Sequence, residues 1–194
     1  YRSSRGLGDV YKRQVLFISL ASITSAQEES YIQPGLLAAS LTFSPSTMLN
    51  HSDKNFYASV FAEYMLDKQF SFRSDSYVFL NSESDAPLIQ NGLRSYFGIA
   101  YHVNKGNWDA SLGFQPGITV MNFDANSSNL KTSVKPSAAL RLGTTYYIWK
   151  YFHFFANLSY TRSKMTVIDR GPLQTDELIF SAGLGLQIQT KKRK

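Results

Sequence analysis

Eight segments of alternating apolar and polar or small residues run through the chain from Gly35 onward, and the spacers between them are long and short in turn. The segments cover residues 35–44, 55–66, 70–80, 93–103, 107–121, 134–148, 152–167 and 178–190. Alternation with a period of two gives a strand two unlike faces, and no stretch shows a helical repeat. Long spacers at 45–54, 81–92, 122–133 and 168–177 fall at one end of a meander, and short turns at 67–69, 104–105 and 149–151 at the other. That rhythm predicts an all-β fold: an eight-stranded antiparallel up-and-down transmembrane barrel over residues 35–190, long loops outside and short turns on the periplasmic side. The even strand number places both chain ends on the periplasmic side too.

One face of each segment is continuously apolar: Phe56, Ala58, Val60, Ala62, Tyr64 and Leu66 in the second, for example, and Leu178, Phe180, Ala182, Leu184, Leu186 and Ile188 in the last. Alternation does not say which face points inward, and a soluble secreted barrel with an apolar interior has the same period. Two features favour the membrane. Aromatic residues of the apolar face flank every short turn, with Tyr64 and Phe70, Tyr101 and Trp108, and Tyr146 and Phe152 forming the girdle expected at an interface. The polar face carries Gly98, Gly113, Gly117, Gly143, Gly183 and Gly185 beside Ser and Ala, small residues that suit a crowded barrel interior. Pro116 and Pro136 fall within strand patterns and cannot donate to a ladder, so a bulge or strand end is expected at each.

Ahead of the strands, Val15 to Ala26 reads VLFISLASITSA, an apolar run closing on small residues, which is the core and cleavage site of a secretory signal. Residues 1–14 lack an initiator Met and resemble a translated sequencing-adaptor tail; residues 27–34 form an N-terminal segment and 191–194 a basic tail. These ends carry the charge. The chain has a formal net charge of +6, yet residues 1–14 and 191–194 supply more than all of it and leave the body at −1. Charges of both signs are scattered there, whereas a nucleic-acid binder clusters its cations, so no nucleic-acid partner is expected. The absence of cysteine excludes disulfide scaffolds, cysteine metal sites and thiol catalysis.

The polar face defines the candidate site. Across the turn at 67–69, Glu63 faces Arg73 as a predicted ion pair, with Asp75 beyond it. A turn at 104–105 places Tyr101 opposite Trp108 outside and Arg94 opposite Gln115 inside. Arg141, His153, Asn157 and Gln187 complete a polar interior. This set reads either as a selective pore or proton-sensitive gate, or as a solid polar plug. An eight-stranded barrel is just wide enough for its own side chains, and Tyr57, Phe61, Tyr77, Phe79, Tyr96, Tyr147 and Phe155 point inward too, so the plug is favoured.

Catalysis has little to stand on. His51, His102 and His153 lack a metal spacing, and neither a glycine-rich phosphate loop nor a nucleophile elbow occurs. Ser159, His153 and Asp109 are a triple compatible with lipid hydrolysis, but a Ser-rich chain offers such triples by chance. The expectation is a non-enzyme with no cofactor and no metal. The long loops are polar and irregular, and loops on rigid scaffolds carry contacts.

On these grounds the chain resembles the small eight-stranded outer-membrane proteins of Gram-negative bacteria, the OmpA/OmpX-like group defined by an outer membrane protein beta-barrel domain. The segment from Ser181 through Gly183 and Leu186 to Ile188 is similar to the C-terminal signal read by the barrel-assembly machinery, although it lacks a terminal aromatic and continues into KKRK. The resemblance implies residence in the outer membrane, contact with its lipid, insertion by the assembly machinery, and a role in envelope integrity, adhesion or defence. A surface ligand bound through the loops is compatible with it. Family membership leaves the activity open. An envelope-structural or surface-interaction protein is the first reading, a narrow channel the second; a soluble lipid-binding barrel and a lipid-modifying enzyme follow.

Overall fold

A computed structural model describes residues 31–84, 89–123, 133–167 and 171–191. The signal-like run, the leader before it and residues 192–194 lie outside the described residues. Nine strands form among the described residues: β1 (Leu36–Met48), β2 (Lys54–Met65), β3 (Phe70–Ser82), β4 (Ile89–Lys105), β5 (Trp108–Phe123), β6 (Ser133–Tyr147), β7 (Phe152–Val167), β8 (Gly171–Gln174) and β9 (Glu177–Gln189). No helix occurs among the described residues.

Each strand pairs antiparallel with its neighbour, β1 pairs β9, β9 pairs β7 and β7 pairs β6, which closes the sheet into an eight-stranded barrel. The short β8 stands apart from the wall. It pairs with the last residues of β7 and prolongs that hairpin beyond the barrel, within a spacer that reads in the sequence as loop alone. Strands of 12 to 17 residues exceed the ~9–11 that cross a bilayer, so the wall projects past the membrane.

Burial settles which face is which. Val60, Leu112, Phe114, Leu140, Phe154 and Leu184 point out of the barrel and are exposed, while Tyr57, Arg94, Gln115, Arg141 and His153 point in and are buried. An apolar exterior around a polar interior is the reverse of a soluble ligand-binding barrel, and it is the distribution that lipid demands. The short connections are tight. Asp67 accepts from the backbone N–H groups of Gln69 and Phe70 at 2.6 and 2.7 Å, an Asx turn that pins the β2–β3 register.

Two local expectations are corrected. The β4–β5 turn is centred on Gly106 and Asn107 rather than on 104–105, because Gly106 takes the positive φ of 59° that a two-residue hairpin turn needs. Lys105 therefore opposes Trp108, Tyr101 opposes Leu112, and Arg94 opposes Thr119 rather than Gln115. The prolines bring neither a bulge nor a strand end. Pro116 pairs with Ala138 in an unbroken β5–β6 register, and on its other side the β4–β5 ladder lapses at Phe97 and Gly98 without changing register. Gly98 makes that possible: a Cβ there would lie 2.1 Å from the Phe114 carbonyl oxygen. Pro136 keeps its β5 partner, Ile118, and sits one residue beyond the first β6–β7 pair, Ser137 with Ser163, so it meets no ladder on its β7 side.

Candidate functional site

The barrel interior is built in layers. At the turn end, Ile32, Leu36, Met65 and Tyr147 form an apolar floor, with Tyr31 stacked on Tyr147 at 5.7 Å. Above it lies an ionic cluster contributed by β2, β3, β4, β5 and β6. Arg73 is its hub: Nη1 donates to Glu63 Oε2 at 2.9 Å, and Nε and Nη2 donate to the two oxygens of Asp75 at 2.8 and 2.9 Å. Its guanidinium also covers the Phe61 ring at 3.7 Å. Gln115 donates to Asp75 at 2.7 Å, so the slipped turn still delivers it inside. Arg141 donates to Asn157 Oδ1 at 2.8 Å and stands 3.7 Å from Glu63.

His153 contacts Gln187 Oε1 through Nδ1 at 2.9 Å, and Gln187 ties onward to the Trp149 carbonyl at 2.9 Å. Higher up, Tyr57, Tyr77 and Tyr96 pack edge-on with Phe79, Ala139 and Ile179. Next comes a second ionic cluster. Arg94 pairs with Glu177 and donates to Thr161 at 2.9 Å. Glu177 also accepts from Tyr57 and Asn55, both at 2.9 Å, and from Ser46. Met48, Ile89 and Met121 close the loop end.

Among the interior residues that escape the sequence reading are Ser71, His102, Asp109 as a partner of His102, and Glu177. Their signal was parity. Ser71 and His102 sit two residues from Arg73 and Ala100 on the inward face, and Glu177 extends the inward row of Ile179, Ser181 and Gln187 by one step. The triple of Ser159, His153 and Asp109 is not assembled, since Ser159 bonds Tyr77 at 3.2 Å, His153 bonds Gln187 and Asp109 bonds His102.

A different chain forms instead. Ser71 Oγ lies 2.8 Å from His102 Nε2, and His102 Nδ1 lies 2.8 Å from Asp109 Oδ2, which is the connectivity of a charge-relay triad. Its surroundings oppose that chemistry. The Ser71 hydroxyl also donates to Glu63 Oε1 at 2.7 Å and is fully buried. Among the described residues no cluster of three or more His, Asp or Glu could hold a metal ion.

On the outer wall, the turn-flanking aromatics meet across ladders rather than across turns. Phe70 packs on Tyr101 at 5.4 Å and Trp108 on Tyr146 at 4.8 Å; Tyr64 and Phe152 are half-buried on the same outward face at the turn end.

A closed barrel with an apolar exterior, a bonded polar interior and aromatic pairs at the turn end defines a transmembrane β-barrel protein. A family model described as "Outer membrane protein beta-barrel domain" matches residues 15–187, and the chain belongs to that family. It is a protein of the Gram-negative outer membrane. Among solved structures it is similar to the Neisserial surface protein A, NspA, with a TM-score of 0.56 and 14% identity over 79% of this chain and 96% of that one. OprG of Pseudomonas aeruginosa gives a TM-score of 0.58 and 13% identity over 81% and 98% of the two chains. Ail, the attachment invasion locus protein of Yersinia pestis, gives 0.52 and 13% over 80% and 100%. At such identities the likeness is one of fold. No curated protein matches the sequence.

Proposed function

We propose that the chain is a non-enzymatic outer-membrane protein with an envelope-structural or surface-interaction role, its interior plugged by its own side chains and its long loops the contact surface. The observation that carries this reading is the continuity of side-chain packing and bonding along the axis, from the Ile32 floor through both ionic clusters to Met48. Aqueous channels are typical of barrels of ~16 strands, and an eight-stranded barrel is just wide enough for its own side chains to fill. The aromatic pairs at the turn end fit the inner interface of the bilayer, with outer-membrane lipid as the constant partner and the assembly machinery as the route of insertion. The Yersinia neighbour bears the name of an attachment protein and is seen with a heparin analogue, and attachment through loops is a role that a rigid, filled scaffold suits.

Planar-bilayer recording tests the plug. The purified chain is expected to leave the current at baseline, and well-defined steps would overturn the reading in favour of a narrow channel. Incubation with a fluorophosphonate is expected to leave Ser71 unlabelled; stoichiometric labelling lost in Ser71→Ala would instead reveal a hydrolase.

A further inference from the structure

The floor of the barrel is not made by the wall alone. Leu36, Met65 and Tyr147 belong to β1, β2 and β6, but Ile32, the most deeply buried of the four at 1% exposure, precedes the first strand. Tyr31 lies beside it, its ring within 10° of parallel to that of Tyr147. A turn delivers these two side chains. The Leu36 N–H donates to the Gln33 carbonyl at 3.1 Å, with Pro34 and Gly35 between them and Gly35 at a φ of 89°. That is a type II turn, which takes proline at its second position and glycine at its third, and it folds the chain ahead of β1 back onto the barrel end.

The turn is pinned on both sides. The Gly35 N–H donates to the Met65 carbonyl of β2 at 2.8 Å, and the Gly35 carbonyl accepts from the Thr190 N–H and Oγ1, just past β9, at 2.9 and 2.7 Å. Gln189 donates to the Pro34 carbonyl at 2.8 Å. Beyond the turn, the apolar contacts of Ile32 and the stack of Tyr31 on Tyr147 seat the segment in the mouth.

What the floor covers is polar. Ser71 is the ladder partner of Met65, His153 that of Tyr147, and His102 and Asp109 lie close to the turn ends of β4 and β5. All four are buried. Without Ile32, three wall side chains from β1, β2 and β6 would be left to keep water from the polar groups of β3, β4, β5 and β7.

We propose that Tyr31 and Ile32 are a stopper: a short strap outside the wall that closes the turn-end mouth over the first ionic cluster and can be withdrawn while the wall stays folded. The sheet is closed by the pairing of β1 with β9, in which this segment takes no part. Opening confined to a chain end costs less than unfolding the sheet, so mouth and wall separate in energy. The inference rests on the filled interior and names what fills its periplasmic mouth.

Two inward serines report on the two ends. Ser111 is the ladder partner of His102, and Ser44 lies toward the loop end of β1. Each is replaced singly by cysteine in the full chain, folded in detergent and verified by heat-modifiable migration. Labelling by a charged thiol reagent is then timed with Ile32 intact and with Ile32→Asp, which puts a charge where the apolar floor offers it no partner. Labelling of Ser111→Cys is expected to run about tenfold faster with Ile32→Asp, and that of Ser44→Cys to stay unchanged, the signature of a local opening. Ile32→Ala, which shortens the side chain without charging it, is expected to give a smaller acceleration of the same kind and carries the test where the charged variant misfolds. Labelling of Ser111→Cys that neither variant accelerates, equal acceleration at both sites, or loss of the folded barrel in both variants would each overturn the stopper. Rapid labelling of Ser111→Cys with Ile32 intact would overturn the filled interior, and the stopper with it.

Discussion

Removing the Arg73 guanidinium leaves Glu63 and Asp75 facing each other in a site closed to water, where the Coulomb cost is far higher than at a surface. Arg73→Ala is therefore expected to cost ~3–5 kcal/mol in urea unfolding from lipid vesicles, the range for breaking a buried pair from one side. Replacing Glu63, Arg73 and Asp75 together by apolar residues of like size should cost much less, since the charges contribute little net stability against their own desolvation. The second cluster makes a parallel case. Glu177→Gln keeps hydrogen-bonding capacity toward Asn55, Tyr57 and Ser46 but removes the counter-charge of Arg94, and is expected to fall between those two outcomes. Gly98→Ala tests the accommodation of Pro116. Its Cβ meets backbone at 2.1 Å, so that variant is expected to lower stability by ~1–3 kcal/mol although it adds only a methyl group.

Strand faces are more robust than strand registers, and the β4–β5 hairpin shows why. Asn104, Lys105, Gly106 and Asn107 all suit a turn, and the sequence has no long-range information with which to choose the centre. The turn forms two residues later than its composition suggests, and an even shift leaves every side chain on its expected face. Gln115 is inside and Trp108 outside under either register, whereas the partner of Arg94 is not preserved. The β2–β3 pairing of Glu63 with Arg73 was legible because Asp67 fixes its turn locally. Glu177 was not, because its role depends on Arg94, distant in sequence and brought across the barrel only by closure. At this scale the decisive perturbation is a charge on the outward face. Phe114→Arg, at mid-strand between Ile99 and Leu140, is expected to cost ~2–4 kcal/mol in the same unfolding assay, and Asn81→Arg, at the loop end of β3, less.

The molecule as a whole is an inside-out layering: apolar wall, polar interior, apolar floor and lid. Only closure makes that arrangement stable in lipid, because it pairs the strand edges that hydrocarbon would otherwise leave unsatisfied. The chain has no cysteine, so a single introduced thiol is a unique probe of either face. Ser111 points inward and Leu112 outward, adjacent in sequence and opposite in environment. In vesicles, a spin label on Leu112→Cys is expected to collide with oxygen dissolved in the bilayer and not with an aqueous nickel chelate, while Ser111→Cys is expected to resist a charged thiol reagent until the barrel is unfolded. Collision of the Leu112 label with the chelate would contradict the membrane wall, and rapid reaction of Ser111→Cys in the folded protein would contradict the filled interior.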